Sequence, residues 1–355
     1  MQAIRAAGGS VTNRQASAWG GLDLGGTKIE AVVVNAHGEV LGRGRAPTPQ
    51  VGGPEAIVQA LADALGEAAR AAEVEVTLLG GVGVGAPGAI NVKTGVLEKA
   101  PNLPGWDSSY PLTAHLLELV QSPVRIGNDV DVAVEAEARL GAGRGFHSVL
   151  GVWWGTGVGG GLMFGGHLWS GRGAAGEVGH TVVREGGARC RCGRRGCLEA
   201  YVGRACLERK ARKAVEKGAD TVLFELMQAK KRTRLSSSVW AKALKQEDRL
   251  AEKLIHRAIR YLGAGIASVV NLLDLEAVVI GGGMGSRLGP TYLHDIEAAM
   301  WEHLFLPERP PVLQIASLGE LSGAVGAALL VVPTRWDEEW REKTPDLTAI
   351  EGAPA

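Results

Sequence analysis

The 355-residue chain carries 38 Lys plus Arg against 38 Asp plus Glu, with 46% hydrophobic and 21% charged residues. That size allows two ordinary domains, and the balanced charge argues against a nucleic-acid or membrane partner. Residues 1 to 20 lack an apolar signal-peptide core, no run approaches the ~18 apolar residues of a membrane span, and four cysteines are too few for a disulfide scaffold. A cytoplasmic setting is therefore expected.

In chain order, a small polar tail of about 19 residues gives way at Gly21 to Leu22-Asp23-Leu24-Gly25-Gly26-Thr27-Lys28. An apolar strand from Ile29 to Val34, a tight turn at Asn35 to Gly38 and a further strand follow. Ile57, Val58, Leu61 and Leu65 have the spacing of an amphipathic helix opening on Pro54. The apolar run from Val76 to Gly85 is expected to form one buried strand. A short strand, Val124 to Ile126, leads through Asn128-Asp129 into a helix from Val130 to Leu140.

The opening pattern then recurs. A shift of 129 positions (155 − 26) lays Gly26-Thr27 on Gly155-Thr156, Ile29 on Val158, and Gly42-Arg43-Gly44 on Gly171-Arg172-Gly173. Two related lobes, each offering a glycine turn to a shared cleft, would give a nucleotide-clamping layout. Beyond residue 198 the pattern is mainly helical. A long helix over 247 to 272 runs into the strand Ala277 to Ile280 and the turn Gly281-Gly282-Gly283. Residues 334 to 355 are charged, include Pro345 and Gly352, and are expected to form a frayed or surface-bound tail.

Neither of two common phosphate motifs fits these glycines. A P-loop needs lysine before the hydroxyl residue and a helix after it, whereas Thr27 precedes Lys28 and a strand follows. Gly83 to Gly88 and Gly155 to Gly160 have dinucleotide-fingerprint spacing, but neither opens a helix. What remains is a turn whose N–H groups and Thr hydroxyl can meet phosphate oxygens, with Asp23 placed to hold magnesium through water. The plainer alternative is a tight hairpin with Asp23 as a strand-end residue.

Cys190-Arg-Cys192-Gly-Arg-Arg-Gly-Cys197, with His180 ten residues upstream, supplies three thiolates and an imidazole. Four such ligands suit a closed tetrahedral zinc site of structural type. Cys206 falls in a helical pattern and reads as a buried small apolar residue. Asp129 is either the N-cap of its helix or a ligand-facing carboxylate at the carboxyl end of a strand. Glu177 and Glu199 flank the zinc segment, where both could accept hydrogen bonds from sugar hydroxyls.

Asp23-Leu-Gly-Gly-Thr-Lys28, Gly85-Ala-Pro-Gly88, Asn128-Asp129, Gly155-Thr-Gly-Val-Gly-Gly-Gly161, Glu177-x-Gly-His180 and Cys190-x-Cys-Gly-x-x-Gly-Cys-x-Glu199 occur in that order. Together they resemble the ROK family (repressors, open reading frames and kinases), in particular its glucokinase-like members, from about residue 20 to 332. The resemblance implies a two-lobed α/β fold of the actin-like (ASKHA, ribonuclease H-like) type, with a duplicated sheet core and a zinc-binding segment in the larger lobe. Its implied divisions are a tail over 1–19, a small lobe over 20–126 completed by a helix at 320–333, a large lobe over 127–319, and a tail over 334–355.

The implied activity is ATP-dependent transfer of a phosphoryl group to the 6-hydroxyl of a hexose, with glucose first. Asp129 would be the general base, and Gly88, Asn128, Glu177, His180 and Glu199 would line the sugar pocket. Gly25, Gly26, Thr27 and Lys28 with Gly155, Thr156 and Gly157 would flank the phosphates, beside a magnesium ion. Gly281, Gly282 and Gly283 would lie near the adenosine, and His180, Cys190, Cys192 and Cys197 would hold zinc. The resemblance also implies a homo-oligomer, a dimer or a tetramer. Other hexoses (fructose, mannose or N-acetylmannosamine) and polyphosphate as donor stay open. A sugar-responsive repressor is the less expected alternative: it would carry a helix-turn-helix domain before the first glycine turn, and the leading segment shows neither helical periodicity nor a basic cluster. Two departures stand out: Trp153-Trp154 where smaller residues are usual, and Gly127 where many members carry an acid.

Overall fold

The computed structural model describes residues 18–333. The tail expected over 334–355 lies outside the described residues, as does most of that over 1–19. Trp19, however, is buried and already opens the first strand, two residues before the expected start.

Two five-stranded sheets organise the chain. In the first, β1 (Trp19–Leu24), β2 (Lys28–Val34) and β3 (Val40–Pro47) pair antiparallel, while β4 (Val82–Ala86) and β7 (Val124–Asn128) continue parallel from β1. The second repeats this with β8 (Ser148–Trp154), β9 (Val158–Phe164), β10 (His167–Leu168), β11 (Ala277–Gly281) and β12 (Val312–Ile315). Strand order is β3-β2-β1-β4-β7 in one and β10-β9-β8-β11-β12 in the other. The internal repeat read from the glycines is thus a repeat of topology. A hairpin of β5 (Ala89–Asn91) and β6 (Val96–Lys99) stands apart.

The expected strand over Val76 to Gly85 divides in two. Val76–Leu78 is a single 3₁₀ turn, and the strand starts only at Val82. Gly80-Gly81 interrupts the run, with Gly81 at φ 159, and Thr77 breaks its apolar face.

Helix α1 (Gly53–Ala71) buries Ile57, Leu61 and Leu65 against the first sheet, each worth roughly 1.5–3 kcal/mol of transfer free energy. Helix α2 (Leu112–Val120) packs beside it. The helices α4 (Glu199–Val202), α5 (Arg204–Val215), α6 (Leu223–Ala229), α7 (Ser237–Lys245), α8 (Arg249–Leu273) and α9 (Gly282–Trp301) gather around the second sheet. Asp248 caps α8, accepting from the Ala251 amide at 2.7 Å. Cys206 is buried within α5, as its helical setting suggested.

Two helices change partners. Helix α3 (Asp129–Leu140) follows the first sheet's last strand yet packs mainly on β9 of the second. Helix α10 (Ser322–Leu329) follows the second sheet's last strand and packs on β1, β2 and β4 of the first. The two cross against each other. Glu137 of α3, fully buried, pins the crossing: its carboxylate accepts from the amides of Ser317 (2.9 Å) and Leu318 (2.8 Å) and from the Ser322 hydroxyl (2.8 Å).

Candidate active site

A cleft of about 660 Å³ opens between the carboxyl ends of the two sheets. Of the candidate residues, Asp23, Lys28, Asp129, Gly282 and Gly283 line it. Val130, Ala133, Ser237, Ser286, Arg287, Glu320, Ser322 and Gly323 line it too, and carried no signal in the sequence. They come from helices and connections far apart in the chain.

Asp23 is the penultimate residue of β1 and, among the described residues, accepts no hydrogen bond with its side chain. The first turn of α10 presses on it: a Cβ at Gly323 would stand 2.6 Å from its Cγ, so only glycine fits there. Burial, then the negative charge of Asp129, push the Asp23 carboxyl up to about 7, while Lys28 pulls the other way. Lys28 Nζ is shared between Glu30 Oε1 (2.9 Å) and Glu320 Oε2 (2.7 Å).

Asp129 resolves an ambiguity of the sequence. The N-cap of α3 is Asn128, whose Oδ1 accepts from the amides of Val130 (2.9 Å) and Asp131 (3.2 Å). Asp129 therefore occupies the first helical position, with one oxygen on the Val130 amide at 3.0 Å. Burial raises its carboxyl above the ordinary range and the charge of Glu177 adds to this, against the Val130 amide. Asp131 is pushed up to about 6 by burial and by Glu177, Asp129 and Glu135.

The glycine turns sit at the ends of β1 and β8. Thr48 braces the first, its hydroxyl donating to Gly25 O at 2.6 Å, and Gly26 lies against Asn102 O. Thr27 is exposed. At the second, Arg204 Nη2 donates to the Thr156 hydroxyl at 2.6 Å, and Gly157 abuts the Glu199 carboxylate. Gly88, at φ 102, takes a left-handed turn under the Lys99 carbonyl, where the β5–β6 hairpin folds over the end of β4.

His180, Cys190, Cys192 and Cys197 converge, their donor atoms all within 4.8 Å of one another. Cys192 and Cys197 sulfurs are 3.7 Å apart, and Cys190 Sγ is 3.8 Å from His180 Nδ1. Ligands at ~2.0–2.3 Å in a tetrahedron would be separated by about this much, so the set fits zinc. The other ring nitrogen, Nε2, is 4.0 Å from Glu177 Oε2. Both oxygens of Glu199 have neighbours: Oε2 accepts from the Val158 amide at 3.0 Å, and Oε1 lies 3.7 Å from Cys190 Sγ. Glu199 thereby ties the cysteine segment to the second glycine turn.

Residues 19–333 match the family model of the ROK family. A glucokinase of Halalkalibacterium halodurans is 35% identical, covering 88% of this chain and 94% of that protein. The crystal structure of a ROK hexokinase from Thermus thermophilus aligns with TM-score 0.72 at 36% identity, over 88% of this chain and 97% of the other. That of a ROK family glucokinase from Streptomyces griseus, in complex with glucose and AMPPNP, aligns with TM-score 0.74 at 33% identity, over 88% and 98%. With nearly the whole described chain matched, from the first glycine turn through the cysteine cluster to the last helix, this protein belongs to the ROK family.

Proposed function

We propose that the chain is an ATP-dependent hexose kinase of the glucokinase type. The observation that carries this is Asp129, a half-buried carboxylate that Asn128 relieves of capping, in a cleft shared with Asp23 and the start of α9 at Gly282-Gly283. Asp129 takes the proton from the sugar's 6-hydroxyl; the freed oxygen bonds to the γ-phosphorus as the bond to the leaving ADP oxygen breaks. A carboxyl raised above the usual range is a better proton acceptor near neutral pH. Most of the remaining work is positioning and charge stabilisation.

Thr27 and the backbone of Gly25 to Lys28 meet the phosphates on one side, and Gly155 to Gly157 on the other. Magnesium, bound with ATP, neutralises phosphate charge, and Asp23 fits it as an oxygen donor without a competing hydrogen bond. Gly88, Asn128, Glu177, His180 and Glu199 surround the sugar. His180, Cys190, Cys192 and Cys197 would hold a structural zinc that fixes the segment carrying Glu177. Residues 20–126 with 320–333 form one lobe and 127–319 the other, and their approach shuts the cleft on its substrates. No described helix is long and apolar enough to cross a membrane, which accords with a cytoplasmic enzyme. A coupled assay of hexoses against ATP tests the reading. Glucose 6-phosphate should form fastest, and failure to phosphorylate any sugar would overturn it.

A further inference from the structure

β8 ends in two tryptophans that face opposite ways. Trp154 is fully buried, and its indole nitrogen donates to Val202 O at 2.9 Å. Trp153 is half-buried and lines the cleft, and among the described residues its indole N–H has no acceptor. It pairs across the sheet with Gly281, and its ring lies flat against that residue: a Cβ at Gly281 would stand 2.9 Å from Cε2 and Cζ2. The ring therefore borders the junction of β11 and α9 at Gly281–Gly283, beside which Ser237 lies, in the cleft that Ser286 and Arg287 also line.

The cleft's charges bear on what it can hold. Its lining has two cations, Lys28 and Arg287, against three carboxylates, Asp23, Asp129 and Glu320. Lys28 is already shared between Glu30 and Glu320. A bare polyphosphate carries a negative charge at every unit and needs a row of cations to replace its water. This cleft offers none. A nucleoside has an aromatic base and a ribose, which gain from an aromatic wall with a polar edge.

We infer that Trp153 selects the phosphoryl donor: its indole carries the nucleoside end, so the cleft takes a nucleoside triphosphate and rejects a bare polyphosphate chain. This rests on the kinase reading above. The test is calorimetric titration with magnesium-AMPPNP and magnesium-tripolyphosphate, on wild type, Trp153→Leu and Trp153→Phe, with the hexose KM measured alongside. Trp153→Leu should weaken AMPPNP roughly tenfold, the scale of one lost base–aromatic contact, and leave tripolyphosphate unmoved. The hexose KM should stay within about twofold, since uniform binding of the other substrate is untouched. Trp153→Phe keeps a ring and should recover most of the loss. AMPPNP should also change the tryptophan fluorescence of wild type, and that change should shrink in Trp153→Phe; this readout decides the matter if Trp153→Leu does not fold.

Equal AMPPNP affinity in wild type and Trp153→Leu would overturn the inference, as would tripolyphosphate binding as tightly as AMPPNP to wild type. If AMPPNP binds and responds to Trp153 as described but no sugar is phosphorylated, the donor site stands and the kinase reading falls. If wild type binds no nucleotide, both fall.

Discussion

Between β1 and β2 the chain turns at Gly25 to Thr27 with the Thr27 side chain exposed and Lys28 reaching into the cleft. Between β8 and β9 the same pattern turns at Gly155 to Gly157, but Arg204 holds the Thr156 hydroxyl and the Glu199 carboxylate covers Gly157. The cause lies further along the chain. One helix separates β3 from β4, whereas the cysteine segment and five helices separate β10 from β11. That insertion grips the second turn through Glu199 and Arg204, whereas the first is braced only through its backbone, by Thr48 on Gly25 O. A duplicated framework thus ends in two differently dressed turns: one keeps its threonine side chain exposed, and the other has its threonine held and is tied to the cysteine segment.

If the catalytic carboxylate acts apart from the metal scaffold, Asp129→Asn should lower kcat by roughly 10²–10⁴-fold. Folding, metal content and hexose affinity should stay intact; near-normal turnover would refute the assignment. Zinc removal, or Cys190→Ser, should strike the other half. We expect about one zinc per chain, and its loss to weaken hexose binding roughly 10–100-fold while AMPPNP still binds. A zinc-free protein with full hexose affinity would contradict the proposed site.

The threonines test the comparison directly. Thr27→Ala should raise the KM for ATP by a few-fold without moving Tm. Thr156→Ala, by removing the Arg204 bond, should cost about 1 kcal/mol of stability with a smaller effect on KM. The reverse ranking in KM would mean that the second turn opens when ligand binds.

The smallest effect concerns Asp23. Its carboxyl is raised from 3.8 to about 7 in the fold, so the folded chain keeps a proton that the unfolded chain releases. Stability from this group is full below pH 3.8 and is lost as pH rises through about 7. In metal-free buffer, Asp23→Asn should therefore melt higher than wild type at pH 8 and nearly equal to it at pH 4. Added magnesium should raise the Tm of wild type and not of the variant.

Much of this arrangement was legible from residue order. Glycine spacing located both turns, apolar periodicity located α1 and α8, and the cysteine spacing with His180 located the cluster. Legibility failed where two physical signals competed. Val76 to Gly85 is apolar enough for one strand, but paired glycines end the pairing before Val82. Asn128 and Asp129 are both good caps, and only the fold shows that Asn128 does the capping. The two tryptophans look alike in sequence, yet alternation along β8 sends one into the core and one to the cleft. Arg287 and Glu320 reach the cleft through tertiary packing alone, which no local pattern encodes.

The exchange of α3 and α10 has a consequence for how such a molecule can exist at all. Each sheet is roofed by a helix that the other half of the chain supplies. Neither half, taken alone, would close its own core: the face of its sheet that the other half's helix covers would lie bare to water.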